Sequence, residues 1–331
     1  MRLQSAQLSL ILALGAVIAV LVACLLGSTP LSPARVLGGF FGTGDPGDVL
    51  VVWSIRLPRA LSAFIVGAAL GTSGAVLQGL LRNPLADPGV LGVSASASLT
   101  ATFALYYGIA AVTPWALPIG AILGALGATA LIAFAAIKTR SVVTLILIGV
   151  GLSSFAGAMM SLLLNLAPNP FSLADLINWM LGSVANRSFD DIALSLPFLF
   201  VGTTILWFSR RGLSALTLGE EAASGIGLDL RTQRVLTVLG AGLATGASVS
   251  LAGAIGFVGI VAPHMVRPFC AYDPARTLLP SALLAGLILV LADIGVRLLP
   301  TTNELKLGVV AALIGVPAFI WIAIQRRGGH D

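Results

Sequence analysis

The chain has 331 residues, 57% of them hydrophobic and 9% charged, with a mean hydropathy of +1.03. These proportions exclude an ordinary soluble domain and call for a chain that crosses a membrane many times. The formal charge of +5 comes from arginines and lysines scattered at the ends of apolar runs, a pattern that reports topology and excludes a nucleic-acid surface.

From the N-terminus, the first apolar run covers residues 8–27. Leu21-Val22-Ala23-Cys24 has the form of a lipoprotein cleavage box. The run is longer than a signal-peptide core, only Arg2 precedes it, and a polytopic body follows, so it is expected to stay as a helix. Further spans are expected at 60–81, 90–110, 116–137, 142–166, 192–208, 278–299 and 306–325, each long enough to cross about 30 Å of hydrocarbon. Cys24 and Cys270 lie far apart in or beside apolar segments and are expected as buried thiols without a disulfide.

Residues 233–268 are generous for one span and tight for two, and Gly253, Gly256, Gly259 and Pro263 interrupt them. Charge decides the count. Two crossings make ten spans with both termini on one side, which then holds Arg2, Arg82, Lys138, Arg140, Arg210, Arg211, Arg231, Arg234, Arg267, Arg276, Arg326 and Arg327, twelve of the eighteen basic residues. Arg35, Arg56, Arg59, Arg187, Arg297 and Lys306 fall on the other side. That bias is the one the positive-inside rule requires, so both termini are expected to be cytoplasmic. Gly67-x3-Gly71, Gly120-x3-Gly124 and Gly242-x3-Gly246 put small residues one turn apart and are expected to form packing seams.

Three segments carry more than packing. Residues 78–93, with Asn83, Pro84, Asp87, Pro88 and Gly89, form a cytoplasmic turn that is either a tight connection or part of a gate. Residues 256–267 form a glycine-rich, proline-ended half-span that delivers His264 and Arg267 to the cytoplasmic boundary. With no second His or Cys at ligand spacing, His264 reads as a structural hydrogen-bonder. Residues 217–227 place Glu220 and Glu221 in a helix-prone island between apolar stretches, flanked by Arg210, Arg211, Arg231 and Arg234. No lipid-buried helix tolerates such an island. It is either a solvated connector or a docking surface for a separate engine.

In this order, with Arg56-Leu57-Pro58-Arg59, Trp179-Met180-Leu181-Gly182-Ser183, Ala292-Asp293 with Arg297, and Glu304-Leu305 with Gly308-Val309, the motifs resemble the FecCD-type permeases of iron-chelate and cobalamin ATP-binding-cassette importers. Lys306 stands where that family usually has proline. The resemblance implies an all-α type II importer permease fold with about ten transmembrane helices. It forms one domain over residues 1–331 with a cytoplasmic coupling segment at 214–230. In the family's pattern, Leu218, Gly219, Glu220, Glu221, Ala222, Ala223, Gly225 and Gly227 match the part that docks on the ATPase. Arg56, Arg59 and Arg297 match positions that meet acidic residues of a binding protein. Asn83 and Leu85, with Ser141, Val142 and Val143, match the cytoplasmic gate; relatives often have small polar residues where this chain has the two valines.

The implied partners are two copies of an ABC ATPase, a second permease subunit in a homodimer, a periplasmic substrate-binding protein and membrane lipid, all at a bacterial inner membrane. No nucleic acid, cofactor or resident metal is implied. Asp293 inside a span is costly unless paired, and Arg297 one turn on is the expected partner. No Gly-x4-Gly-Lys-Ser/Thr loop occurs, so ATP hydrolysis would belong to another subunit and this chain would not be an enzyme. A secondary carrier or a channel is the competing class. Cargo is expected to be an iron chelate, haem or a ferric siderophore, with cobalamin as the alternative, and Arg187 reads as a solvated loop arginine, with attraction of an anionic chelate or of haem propionates as its alternative role.

Overall fold

The computed structural model describes residues 5–27, 31–113, 115–139, 141–299 and 304–325, and among them the secondary structure is helical throughout. Arg2, Arg140, Arg326 and Arg327, used in the topology argument, lie outside the described residues. The first helices are α1 (Ser5–Leu25), α2 (Pro33–Phe41), α3 (Pro46–Leu50), a π-helical turn (Val51–Arg56), α4 (Leu57–Leu80), α5 (Val93–Tyr106), α6 (Ile109–Val112) and α7 (Ala116–Lys138). The second half holds α8 (Val142–Asn165), α9 (Pro170–Met180), α10 (Phe189–Leu216), α11 (Glu220–Gly225), α12 (Leu230–Ala252), α13 (Val258–Val266), α14 (Pro274–Leu298) and α15 (Leu307–Gln325).

Seven helical stretches among the described residues are long and apolar enough to cross a membrane: α1, the continuous run Pro46–Leu80, α7, α8, α10, α12 and α14. The shorter α5, α13 and α15 occupy the other three expected positions, so each of the ten spans finds a helix. Two boundaries move. The second span begins well before residue 60, because the chain stays helical from Pro46 through the π-turn. The sixth runs to Leu216, past Arg210 and Arg211, starting from a capping box in which Ser188 and Asp191 satisfy each other's backbone amides.

The ambiguous stretch resolves into two unequal parts. Helix α12 runs 23 residues, and α13 only nine. Between them five non-helical residues reach at most about 17 Å, and α13 adds about 13 Å, enough together for the hydrocarbon core. Ala252 accepts from the Ser183 amide at 2.7 Å at one end, and Arg267 reaches Gln78 near the end of α4 at 2.5 Å at the other. Irregular backbone at membrane depth persists only where protein covers it, and Ala252, Gly253 and Ile255 are buried.

Small residues set the packing, because lipid provides no hydrophobic push between helices. All three expected glycine seams are packed. A side chain at Gly71 would meet the Ser281 carbonyl at 2.5 Å where α4 crosses α14, Gly124 faces Thr100 and Ser96 of α5, and Gly246 faces Ala125 of α7. Hydroxyls close further contacts, as where Ser195 of α10 and Ser250 of α12 lie 3.0 Å apart. Cys24 and Cys270 are buried free thiols.

Gly71→Leu is therefore expected to cost on the order of 1–3 kcal/mol by overpacking and to lower the thermal unfolding midpoint in detergent. Gly127→Leu, where an added Cβ meets nothing within 4 Å, is expected to leave it unchanged.

Candidate functional site

At one end of the bundle four charged side chains from three elements meet. Arg59, on the first turn of α4, donates from Nε and Nη2 to Asp293 Oδ1 at 3.0 and 2.7 Å and also binds Glu304, which lies just before α15. Arg297 places Nη2 3.0 Å from Asp293 Oδ2, the expected one-turn pair. Two cations balance two carboxylates. Asp293 is only 1% exposed, so without these arginines it would be a buried bare charge, which the low-polarity interior disfavours strongly.

The same end seals α1. Its last carbonyls have no partner within the helix. Arg56 donates from Nη1 to the Cys24 and Leu25 carbonyls at 2.8 and 2.9 Å, and Arg297 from Nη1 to those of Ala23 and Leu26 at 3.0 Å each. Cations at a helix C-terminus also meet the favourable end of its dipole. Of the three arginines expected to meet a partner, Arg56 and Arg297 are thus turned inward. Arg59 keeps limited access, its side chain 12% exposed beside a Glu304 side chain that is 39% exposed.

Arg187, expected in solvent, is half-buried with its guanidinium 5.7 Å from the Trp179 ring. Burial pulls its pKa below the usual arginine range, with Asp191 opposing the shift. No hydrogen bond is formed by its Nε or by the Trp179 indole nitrogen. Lys306 immediately precedes α15, and its carbonyl accepts from the Val309 and Val310 amides.

At the opposite end, α11 projects between α10 and α12. Gly219 and Gly227 bracket it with φ of 102° and 93°, values that side chains other than glycine adopt at a cost. Ala223 is its buried anchor, while Leu218, Glu221, Ala222, Ser224, Gly225, Ile226 and Gly227 are exposed. Leu218 and Ile226 are each 67% exposed, one apolar side chain at either edge of a polar segment. Glu220 and Glu221 separate in role. Glu220 turns back to Arg234 of α12 at 2.8 Å and lies 4.0 Å from Arg82, whereas Glu221 faces outward.

Arg82 belongs to the turn that carries Asn83 and Leu85, so this ion pair joins that turn to α11, a link that motif spacing did not show. Asn83 Oδ1 accepts from the Leu85 amide at 2.9 Å and shapes the turn, leaving the Leu85 side chain exposed. Half-buried Asp87 caps the next helical turn through the Gly89 amide at 2.7 Å, and burial lifts its carboxyl above the ordinary range. Ser141 caps α8 through the Thr144 amide at 3.3 Å, and Val142 and Val143 form its first turn. These residues and the Asn83 turn stand on separate elements, joined deeper in the bundle where Gly149 of α8 packs against Val90 and Leu91.

This arrangement has counterparts. The model of the FecCD transport family matches residues 15–325. This chain belongs to the FecCD transport family. The ABC transporter permease protein YvrB of Bacillus subtilis (strain 168) is 40% identical over 300 residues, covering 89% of this chain and 84% of that protein. The vitamin B12 import system permease protein BtuC of Klebsiella pneumoniae is 40% identical over 282 residues, covering 84% of each. A solved inward-facing metal-chelate type ABC transporter superposes with a TM-score of 0.85 at 30% identity, over 97% of this chain and 99% of that one. The protein is a membrane permease of the ABC importer class, in agreement with its motifs.

The charge cluster should behave as a unit. Asp293→Asn keeps the shape but leaves two largely buried arginines with Glu304 as their one remaining counter-charge in the cluster, and an expected loss of about 3 kcal/mol would show as a lower unfolding midpoint. Glu304→Gln, nearer the surface, is expected to cost under about 1 kcal/mol.

Proposed function

We propose that the chain is the membrane-spanning subunit of an importer in which a separate ATPase docks on α11 and a substrate-binding protein delivers cargo to the Arg59 end. The observation that carries this reading is the exposed α11 segment, bracketed by Gly219 and Gly227 and anchored through Glu220 while Leu218, Glu221 and Ile226 face outward. A channel has no use for such a surface. Two ATPases and a second copy of this permease complete the assembly, with α8, whose Leu147, Val150 and Phe155 are exposed, available to the shared pathway. Both termini face the cytoplasm of a bacterial inner membrane in this reading, which rests on the distribution of basic residues.

Glu220 suggests how docking reaches the pathway. Its two arginines lie on α12 and on the Asn83 turn, so a displacement of α11 would pull on both. The pair to Arg82 is exposed and contributes little stability, a property suited to a contact that must break and re-form. Asn83 and Leu85, with Ser141, Val142 and Val143, are the proposed gate. At the other end an acidic residue of the binding protein would replace Glu304 on Arg59, while Arg56 and Arg297 hold α1 beneath it.

The cargo class is a bulky metal chelate. An iron chelate, haem or a ferric siderophore, is the first candidate. A second reading, cobalamin, is favoured by the vitamin B12 import permeases at 40% identity.

Affinity capture of the full chain from native membranes, with mass spectrometry of what stays bound, tests the assembly. An ABC ATPase is expected with the wild-type chain and is expected to be lost in Leu218→Asp/Ile226→Asp while the unfolding midpoint is unchanged. Recovery of the chain alone, even after crosslinking, contradicts the proposal. A co-purified binding protein that takes up an iron chelate or cobalamin decides between the two cargo readings.

A further inference from the structure

A cavity of about 560 Å³ opens beside α11, between the end of α7 and the start of α12. Its charged lining is Lys138, Arg231 and Arg234 against Glu220 and Asp229. Three cations therefore face two carboxylates, and both carboxylates are already engaged. Glu220 holds Arg234, and Asp229 caps α12 by accepting from the Arg231 amide at 3.0 Å and the Thr232 hydroxyl at 2.5 Å. The Lys138 ammonium lies 5.4 Å from the Phe134 ring, at the very end of a membrane helix.

The α7 face that ends in Lys138 narrows the ligand. Leu123, Leu131 and Phe134 are exposed apolar side chains on α7, and Leu131, Phe134 and Lys138 follow one another at three- and four-residue intervals, which stacks them on one helix face. An apolar stripe in lipid that ends in a cation beside a basic recess matches an acyl chain joined to a phosphate. We propose that this recess binds the phosphate headgroup of an anionic phospholipid, whose chain lies along Leu123, Leu131 and Phe134. Free phosphate shares the headgroup chemistry but would make no use of the stripe.

The site has a consequence for coupling. A phosphate entering beside Arg234 competes with Glu220 for one guanidinium, so the lipid would set how firmly α11 is tethered to α12. The inference rests on the permease reading only in taking the outer face of α7 to lie in lipid.

Native mass spectrometry of the full chain, exchanged into mixed micelles of phosphatidylglycerol and phosphatidylcholine, tests it. Wild type is expected to retain phosphatidylglycerol preferentially, and Lys138→Gln/Arg231→Gln to retain it on the order of tenfold more weakly, with phosphatidylcholine unaffected. Lys138→Gln alone, at an exposed helix end, carries the same comparison if the double variant misfolds. Equal retention by the variants overturns the proposal. So does thermal stabilisation by inorganic phosphate equal to that by phosphatidylglycerol, which assigns the recess to a free anion. A chain that captures an ATPase without preferring phosphatidylglycerol removes the lipid site alone, whereas one that retains the lipid without an ATPase removes the importer reading alone.

Discussion

Two arginines from different helices hold the carbonyls that α1 leaves open at its C-terminal end, and one of them also faces the buried carboxylate of Asp293. In a bilayer no water stands ready to satisfy such groups, so each must find a partner in the protein. The arginines do this for α1 while fixing α4 and α14 against it. Arg59 then carries the arrangement to the surface through Glu304. This end of the bundle is therefore built inward from an electrostatic requirement, and only its last member remains exposed.

The α11 end is built the opposite way. Ala223 and Glu220 anchor a segment whose remaining side chains are left to solvent, and the glycines at its borders permit the turns that let it project. Between the two ends, glycine and alanine seams let helices approach closely, and dense contacts of this kind shift between discrete arrangements rather than deform smoothly. The proposed drive at one end and loading at the other would need that property.

Much of this was legible in the residues. Apolar run length located the helices, residues 233–268 hold the two helices α12 and α13 that two crossings require, and the glycine pairs named the seams found between α4 and α14, α5 and α7, and α7 and α12. The Asp293–Arg297 pair could be read because both residues lie on one helix face. Arg59 could not be joined to Asp293 in the same way, since they are 234 residues apart and only the packing of α4 on α14 brings them together. The burial of Arg56, the turning of Arg187 onto Trp179 and the division of labour between Glu220 and Glu221 escaped for the same reason. A motif names a residue type, while tertiary packing decides whether its charge faces water or carbonyls.

The central claim is that movement of cargo through this chain is powered by ATP hydrolysed on another subunit. Proteoliposomes holding the chain with its ATPase, supplied with loaded binding protein, test this through cargo accumulated in the compartment where the ATPase side faces. Accumulation against a gradient that requires ATP and stops when it is withheld is the result predicted here. Cargo flux through the chain alone, or uptake that follows an ion gradient and ignores ATP, would contradict it.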